Sequence, residues 1–286
     1  MALTRHLGLS LALLLASVAS AQAPPHRVVS FAPSLTETVV ALGYGDRLVG
    51  VGDYASWPPA AARLPRVGGL YNPNLERLLA LRPDLVLVPS PMPRVEAACA
   101  SRGIRLETVR TETVEDVEAA ARRIAGLLGE PAAGRLLATR LHRQLESVRA
   151  RVKGRNRPRV LLVLDRPASG RLQEVVTAGP RTFLDQLLRL AGGRNLFHDA
   201  PRRYFTPSLE TVVERRPQLI LELRPGAGDA GSLERQARKE WGKVFGGVEA
   251  PRVRVLTEPY LVVPGPRLGR AAELLEAVLH PQQGTR

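Results

Sequence analysis

The side chains best suited to chemistry in this sequence are aromatic, and they sit in loops. Tyr54, Trp57, Tyr71, Phe183, Tyr204 and Tyr260 fall within the stretches Tyr54 to Pro59, Leu70 to Pro73, Arg181 to Phe183, Tyr204 to Pro207 and Tyr260 to Arg267. Aromatic residues make up only 4% of the chain, so their concentration in such loops points to flat ring surfaces offered to a large ligand. Pro33, Ser34, Asn72 and Arg267 lie in the same loops or in Phe31 to Ser34 and complete the candidate ligand-binding set. Any single ring is equally well placed to cover the edge of a core; the constellation carries the reading.

Bond-breaking arrangements are missing. The sequence contains no G-x-S-x-G, H-E-x-x-H, Walker A or C-x-x-C pattern. His142 and His198 have no neighbour at metal-ligand spacing, and His6, His26 and His280 lie toward the ends of the chain. Ser34 with Glu37 is the nearest approach to a nucleophile, but no histidine can be placed beside it, and a helix N-cap explains the serine more simply. The match Gly226-Ala227-Gly228-Asp229-Ala230-Gly231 has the form G-x-G-x-x-G; Pro225 separates it from the preceding strand and no complete β-α-β unit is expected after it, so it reads as a surface turn. The chain is read as a binding protein and not an enzyme.

Met1 to Ala23 carries Arg5, an apolar run from Leu7 to Val18, and the small residues Ala21-Gln22-Ala23, which is the form of a secretory signal cleaved near Ala23. The product is expected in the periplasm, and with no cysteine at the cleavage site it is expected to lack a lipid anchor. Cys99 is the single cysteine, so no internal disulfide is possible and a buried thiol is expected. A formal charge of +14 raises nucleic acid as a partner. Scattered arginines and sparse aromatics argue against it, because no stacking platform can form. No nucleic acid is expected, and the protein is taken as a monomer.

The elements that must position the loops follow a β-α grammar. Arg27 to Phe31 reads as a strand and Leu35 to Leu42 as the helix after it; Leu48 to Val51 and Leu85 to Val88 are further strands, with a helix at Leu75 to Leu81. The pattern restarts at Arg159 to Leu164, with a helix from Phe183 to Leu190. An internal match supports duplication: Asn74-Leu75-Glu76, five residues, Arg82-Pro83-Asp84-Leu85-Val86-Leu87 against Ser208-Leu209-Glu210, five residues, Arg216-Pro217-Gln218-Leu219-Ile220-Leu221. Between the halves, Val114 to Leu128 and Ala132 to Val152 are helical, the second spanning roughly 30 Å. The expected architecture is α/β, two Rossmann-like lobes with parallel central sheets joined by one long backbone helix. The divisions are a signal peptide at 1–23, an N-terminal lobe at 24–130, the connecting helix at 131–153 and a C-terminal lobe at 154–286.

These residues resemble the class III periplasmic binding proteins that serve cobalamin, haem and ferric-siderophore importers, most closely the cobalamin-binding branch. The resemblance rests on Arg27 to Glu37, Val49-Gly50-Val51 with Tyr54 and Trp57-Pro58-Pro59, Val67 to Glu76 running into Leu81 to Leu85, Ala191 to Phe197, Ser208-Leu209-Glu210 and Pro264-Gly265-Pro266-Arg267. It implies ligand capture in a cleft between the lobes with slight closure, delivery to the permease dimer of an ABC transporter in the inner membrane, and no catalytic cofactor; cobalamin or a related corrinoid is the transported ligand. Glu76 and Glu210 fall where the family carries one docking carboxylate per lobe. Tyr54, Trp57, Tyr71 and Tyr204 align with positions that flank a corrin. The chain departs from the pattern at Leu70, where a tryptophan can occur, and at Tyr260 to Val263, which lacks charged side chains. Haem or a ferric siderophore is the alternative ligand, with Tyr71 and Tyr204 as candidate axial groups.

Overall fold

The computed structural model describes residues 23–166, 171–246 and 249–281. Of the expected signal segment at 1–23, residues 1–22 lie outside the described residues. None of the described helices is long and apolar enough to cross a membrane.

The first lobe runs β1 (Val28–Ser30), α1 (Pro33–Ala41), β2 (Leu48–Val51), α2 (Pro59–Ala62), α3 (Leu75–Ala80), β3 (Leu85–Val88), α4 (Pro93–Ala100) and β4 (Arg105–Thr108). Two helices follow, α5 (Val114–Leu127) and α6 (Pro131–Arg151). The second lobe contains β5 (Arg159–Val163), β6 (Thr177–Ala178), α7 (Phe183–Leu190), β7 (Arg194–Asn195), β8 (Tyr204–Phe205), α8 (Leu209–Glu214), β9 (Leu219–Leu223), α9 (Ala230–Val244), β10 (Arg252–Leu256) and α10 (Leu268–Leu279). Central strands such as β3 and β9 are buried along their whole length, as continuous apolar runs covered on both faces of a parallel sheet must be.

The first sheet has the order β2-β1-β3-β4 and the second β10-β9-β5-β7, with every pairing in both parallel. Read from β7, the second order repeats the first, so that β5 corresponds to β1 and β9 to β3. The repeat extends to atoms. Arg82 and Arg216, each before a proline, adopt positive φ of 46° and 49°. The Arg27 guanidinium donates to the Leu81 and Arg82 carbonyls, and the Arg159 guanidinium donates to the Arg216 carbonyl. Asn74 and Ser208 cap the two equivalent helices, accepting from the Arg77 and Thr211 backbone N–H groups. The sequence match is therefore a duplicated unit of structure.

The 21 residues of α6 give a rod of roughly 30 Å. Leu137 and Ala138 pack into the first lobe's core, whereas Leu141, Leu145 and Val148 pack into the second's. Helix α5 shares the task, with Val114 and Val117 in the second core and Ala120, Ala121 and Ile124 in the first. The joint is thus a helical hairpin that is core at both ends. Its close contact requires Gly134, where a Cβ would meet the Ala121 carbonyl oxygen at 2.7 Å.

Two expectations need correction. Ser34 is not an N-cap: Ala32 occupies that place, Pro33 takes the first helical position, and the Ser34 hydroxyl pairs with Thr111 Oγ1 at 3.2 Å. A complete β-α-β unit does follow the glycine motif, since β9, α9 and the parallel strand β10 enclose it. The motif still suits no pyrophosphate, because the Asp229 carboxylate caps α9 by accepting from Ser232 N at 2.7 Å and puts negative charge where a phosphate would sit. Cys99 is buried at 1% exposure.

Candidate ligand-binding cleft

In both sheets the parallel strands end toward the loops that face between the lobes, the position where open α/β sheets hold ligands. On the first lobe, the loop after β2 carries Tyr54, 79% exposed, and Trp57, 37% exposed. Arg66 fixes this loop from beneath, its guanidinium donating to the carbonyls of Gly52, Ala55 and Ala62, each at 2.8 Å. The next loop is a tight reversal. Gly68 has φ of +86°, and a Cβ there would meet the Asn72 carbonyl at 2.3 Å, so only glycine fits. Asn72 is exposed, and its Oδ1 accepts from Gly69 N at 3.2 Å. The reversal leaves Tyr71 at 98% exposure, beside a cavity of about 220 Å³ walled by Leu70, Pro73 and residues 90–95.

On the second lobe, Tyr204 lies in β8, paired antiparallel with β6. Burial and the neighbouring Glu112 carboxylate push its phenol up to about 12, with Arg203 pulling the other way. Tyr260 is half-buried over the second core; burial, then Glu258, raise its phenol above the ordinary value. Phe183 does not reach the cleft. It is 5% exposed within the second core, because its Thr182 cap and its backbone bond to the Glu112 carbonyl turn it inward at the start of α7.

The lobes meet at an ion pair. Glu37 of α1, 2% exposed, accepts from Arg267 Nε at 2.8 Å and Nη2 at 2.5 Å across a separation of 230 residues. The guanidinium lies 4.6 Å from the Trp57 ring centroid and 5.3 Å from that of Tyr260, joining rings of both lobes. Burial raises the Glu37 carboxyl above its ordinary range, opposed by the Arg267 hydrogen bond and charge. Pro33 is half-buried at the start of the same helix. Sequence reasoning named Arg267 and missed its partner; the available signal was a glutamate among Leu35, Thr36, Thr38 and Val39 on a buried helix.

A second buried acid was also missed. Glu222 in β9 is fully buried and accepts from Trp241 Nε1 at 2.7 Å, Arg166 Nη1 at 3.2 Å and Arg224 Nε at 3.1 Å. It secures the arginines that follow β5 and β9. Glu76 and Glu210 are exposed at the second position of α3 and α8, at equivalent points of the duplicated unit. Among the described residues no group of three or more His, Cys, Asp and Glu is arranged to hold a metal.

Comparison with known proteins places this geometry. The sequence profile of the family described as Periplasmic binding protein matches residues 28–240. A vitamin B12-binding protein of Pectobacterium carotovorum is 31% identical over 205 residues, 71% of this chain and 72% of that protein. Another from Vibrio vulnificus is 31% identical over 215 residues, covering 74% and 76%. Among solved structures, the periplasmic vitamin B12 binding protein BtuF of Vibrio cholerae superposes with a TM-score of 0.75 at 26% identity, covering 92% of this chain and 99% of that one. A periplasmic heme binding protein from Pseudomonas aeruginosa gives a TM-score of 0.75 at 30% identity, covering 90% and 94%.

Proposed function

The chain belongs to the periplasmic binding protein family, and from that premise we propose that it captures cobalamin or a related corrinoid between its lobes and delivers it to an ABC importer. The observation that carries the reading is the joint between the lobes, where the Glu37–Arg267 pair has Trp57 of one lobe and Tyr260 of the other over its guanidinium; the exposed rings of Tyr54 and Tyr71 on the first lobe and Tyr204 on the second add to it. Such rings offer a macrocycle contact area at low entropic cost. The relatives named for vitamin B12 support the same ligand. The protein acts in the periplasm after removal of its signal segment, as a monomer, with Glu76 and Glu210 meeting the permease dimer one per lobe.

A second reading, haem, draws on the Pseudomonas aeruginosa neighbour. Under that reading Tyr71 or Tyr204 would supply the axial group of a ferric haem.

Tryptophan fluorescence tests the proposal, because of the two tryptophans Trp57 is 37% exposed at the cleft and Trp241 is fully buried. Cyanocobalamin should quench the Trp57 part of the emission saturably at one equivalent, and Trp57→Phe should remove that saturable part. No saturable quenching in the native protein would contradict capture at this wall.

A further inference from the structure

A cavity of about 890 Å³ forms a groove along the flank of α6 between α5 and α7. Val114, Leu145, Val152 and Leu190 make its floor apolar; Glu115, Glu118 and Glu146 also line it, engaged by Gln186, by Arg122 and His142, and by Arg149, and the end at residues 153–157 is strongly basic. The basic end comes from an alternation in the sequence, Arg149, Arg151, Lys153, Arg155, Arg157 and Arg159, unbroken by an acid. Some of these charges are used by the fold. Arg151 binds Glu276 at 2.6 Å, Arg149 lies 3.3 Å from Glu146, and Arg159 serves the Arg216 carbonyl. Lys153, Arg155 and Arg157 are exposed, and with Glu276, Glu146 and Asp185 already engaged they pair with no carboxylate among the described residues. Arg157 is held in place, its Nη2 donating to the Arg189 carbonyl at 2.7 Å.

The turn carrying these cations precedes β5, so it sits at the end of the sheet where strands begin. The N-termini of α3 and α8, with Glu76 and Glu210, lie at the end where strands finish. The basic turn therefore occupies the pole opposite the cleft.

We propose that this pole docks on an anionic phospholipid membrane, a headgroup phosphate being held by Lys153, Arg155 and Arg157 at the mouth of the groove. Cations unmatched by acids beside an apolar floor complement a surface that is anionic outside and apolar beneath. Nucleic acid fits the same charge less well, since no phenylalanine, tyrosine or tryptophan lines the groove to stack on a base. Docking through the base leaves the cleft open, whichever ligand the cleft takes.

The test is co-sedimentation of the purified protein with vesicles of phosphatidylcholine alone or mixed equally with phosphatidylglycerol, at about 0.1 M salt. Binding to the mixed vesicles only is expected. Each basic residue near such a surface is worth about fivefold, so Lys153→Gln/Arg155→Gln/Arg157→Gln should weaken partitioning about a hundredfold. A charge-matched control on α9, Arg235→Gln/Arg238→Gln/Lys239→Gln, should change it by less than about fivefold. Equal losses in both variants would show that net charge alone attracts the protein and would overturn the proposal. So would failure of the native protein to sediment with the mixed vesicles, or tighter binding to a DNA duplex than to them.

Discussion

Replacing Arg267 by methionine tests the inter-lobe floor where its energetics are sharpest. Glu37 and Arg267 have side chains only 2% and 12% exposed, so removing the cation leaves a carboxylate buried without its bidentate partner. Loss of one member of a buried pair costs about 3–5 kcal/mol. The deficit must depend on pH. Burial already raises the Glu37 carboxyl above its ordinary 4.5, and Arg267 supplies the hydrogen bond and charge that pull it back. Without Arg267 the folded-state value climbs further, and an acid raised in the folded state costs stability whenever it is ionised. The deficit should be full above the raised folded value, shrink as pH falls through it, and vanish below the ordinary carboxylate value. Glu37→Leu/Arg267→Met should recover much of the loss, since a buried pair can be exchanged for packed apolar groups at little cost. Urea unfolding of the native protein and both variants across the acid range reads each quantity. A loss under about 1 kcal/mol, or a deficit that does not shrink in acid, would refute the assignment of a buried, mutually dependent pair.

The joint and the rims give further expectations. Gly134→Val should destabilise by about 1–3 kcal/mol, measured by urea unfolding, because the new side chain meets the Ala121 carbonyl and Ala125 Cβ where α5 and α6 touch. Of five tyrosines, the one whose phenolate absorbance appears only near pH 12 should vanish in Tyr204→Phe. Glu76→Ala/Glu210→Ala should leave ligand affinity unchanged while abolishing uptake in reconstituted vesicles bearing the permease; loss of affinity would assign these acids to the cleft.

Much of the architecture is legible in the sequence because local physics and tertiary structure agree. Leu85 to Val88 and Leu219 to Leu223 are apolar runs too short for helices, each preceded by a capped helix and an Arg-Pro turn, and both form central parallel strands. The 21 residues of α6 begin at Pro131, where a proline stabilises a first turn. What escapes is set by contacts between distant residues. Nothing near Glu37 announces a partner 230 residues away. Ser34 resembles a cap, yet Pro33 fixes the helix start two residues earlier and leaves the hydroxyl to Thr111. Phe183 has the composition of a loop ring and the position of a core residue, because Thr182 caps the helix and turns the ring inward. Glu222 was readable as an anomaly, a charge inside Leu-Ile-Leu-Glu-Leu, but of the donors that satisfy it only Arg224 is a near neighbour, and Arg166 and Trp241 come from two other segments.

The central claim is corrinoid capture, and calorimetric titration of the purified protein with cyanocobalamin, haemin and a ferric catecholate siderophore in parallel tests it most directly. Tight one-to-one binding of cyanocobalamin, with no comparable heat from the other two, is the predicted result; binding of haemin or the siderophore without cyanocobalamin would contradict the corrinoid assignment while leaving the fold and its cleft as described.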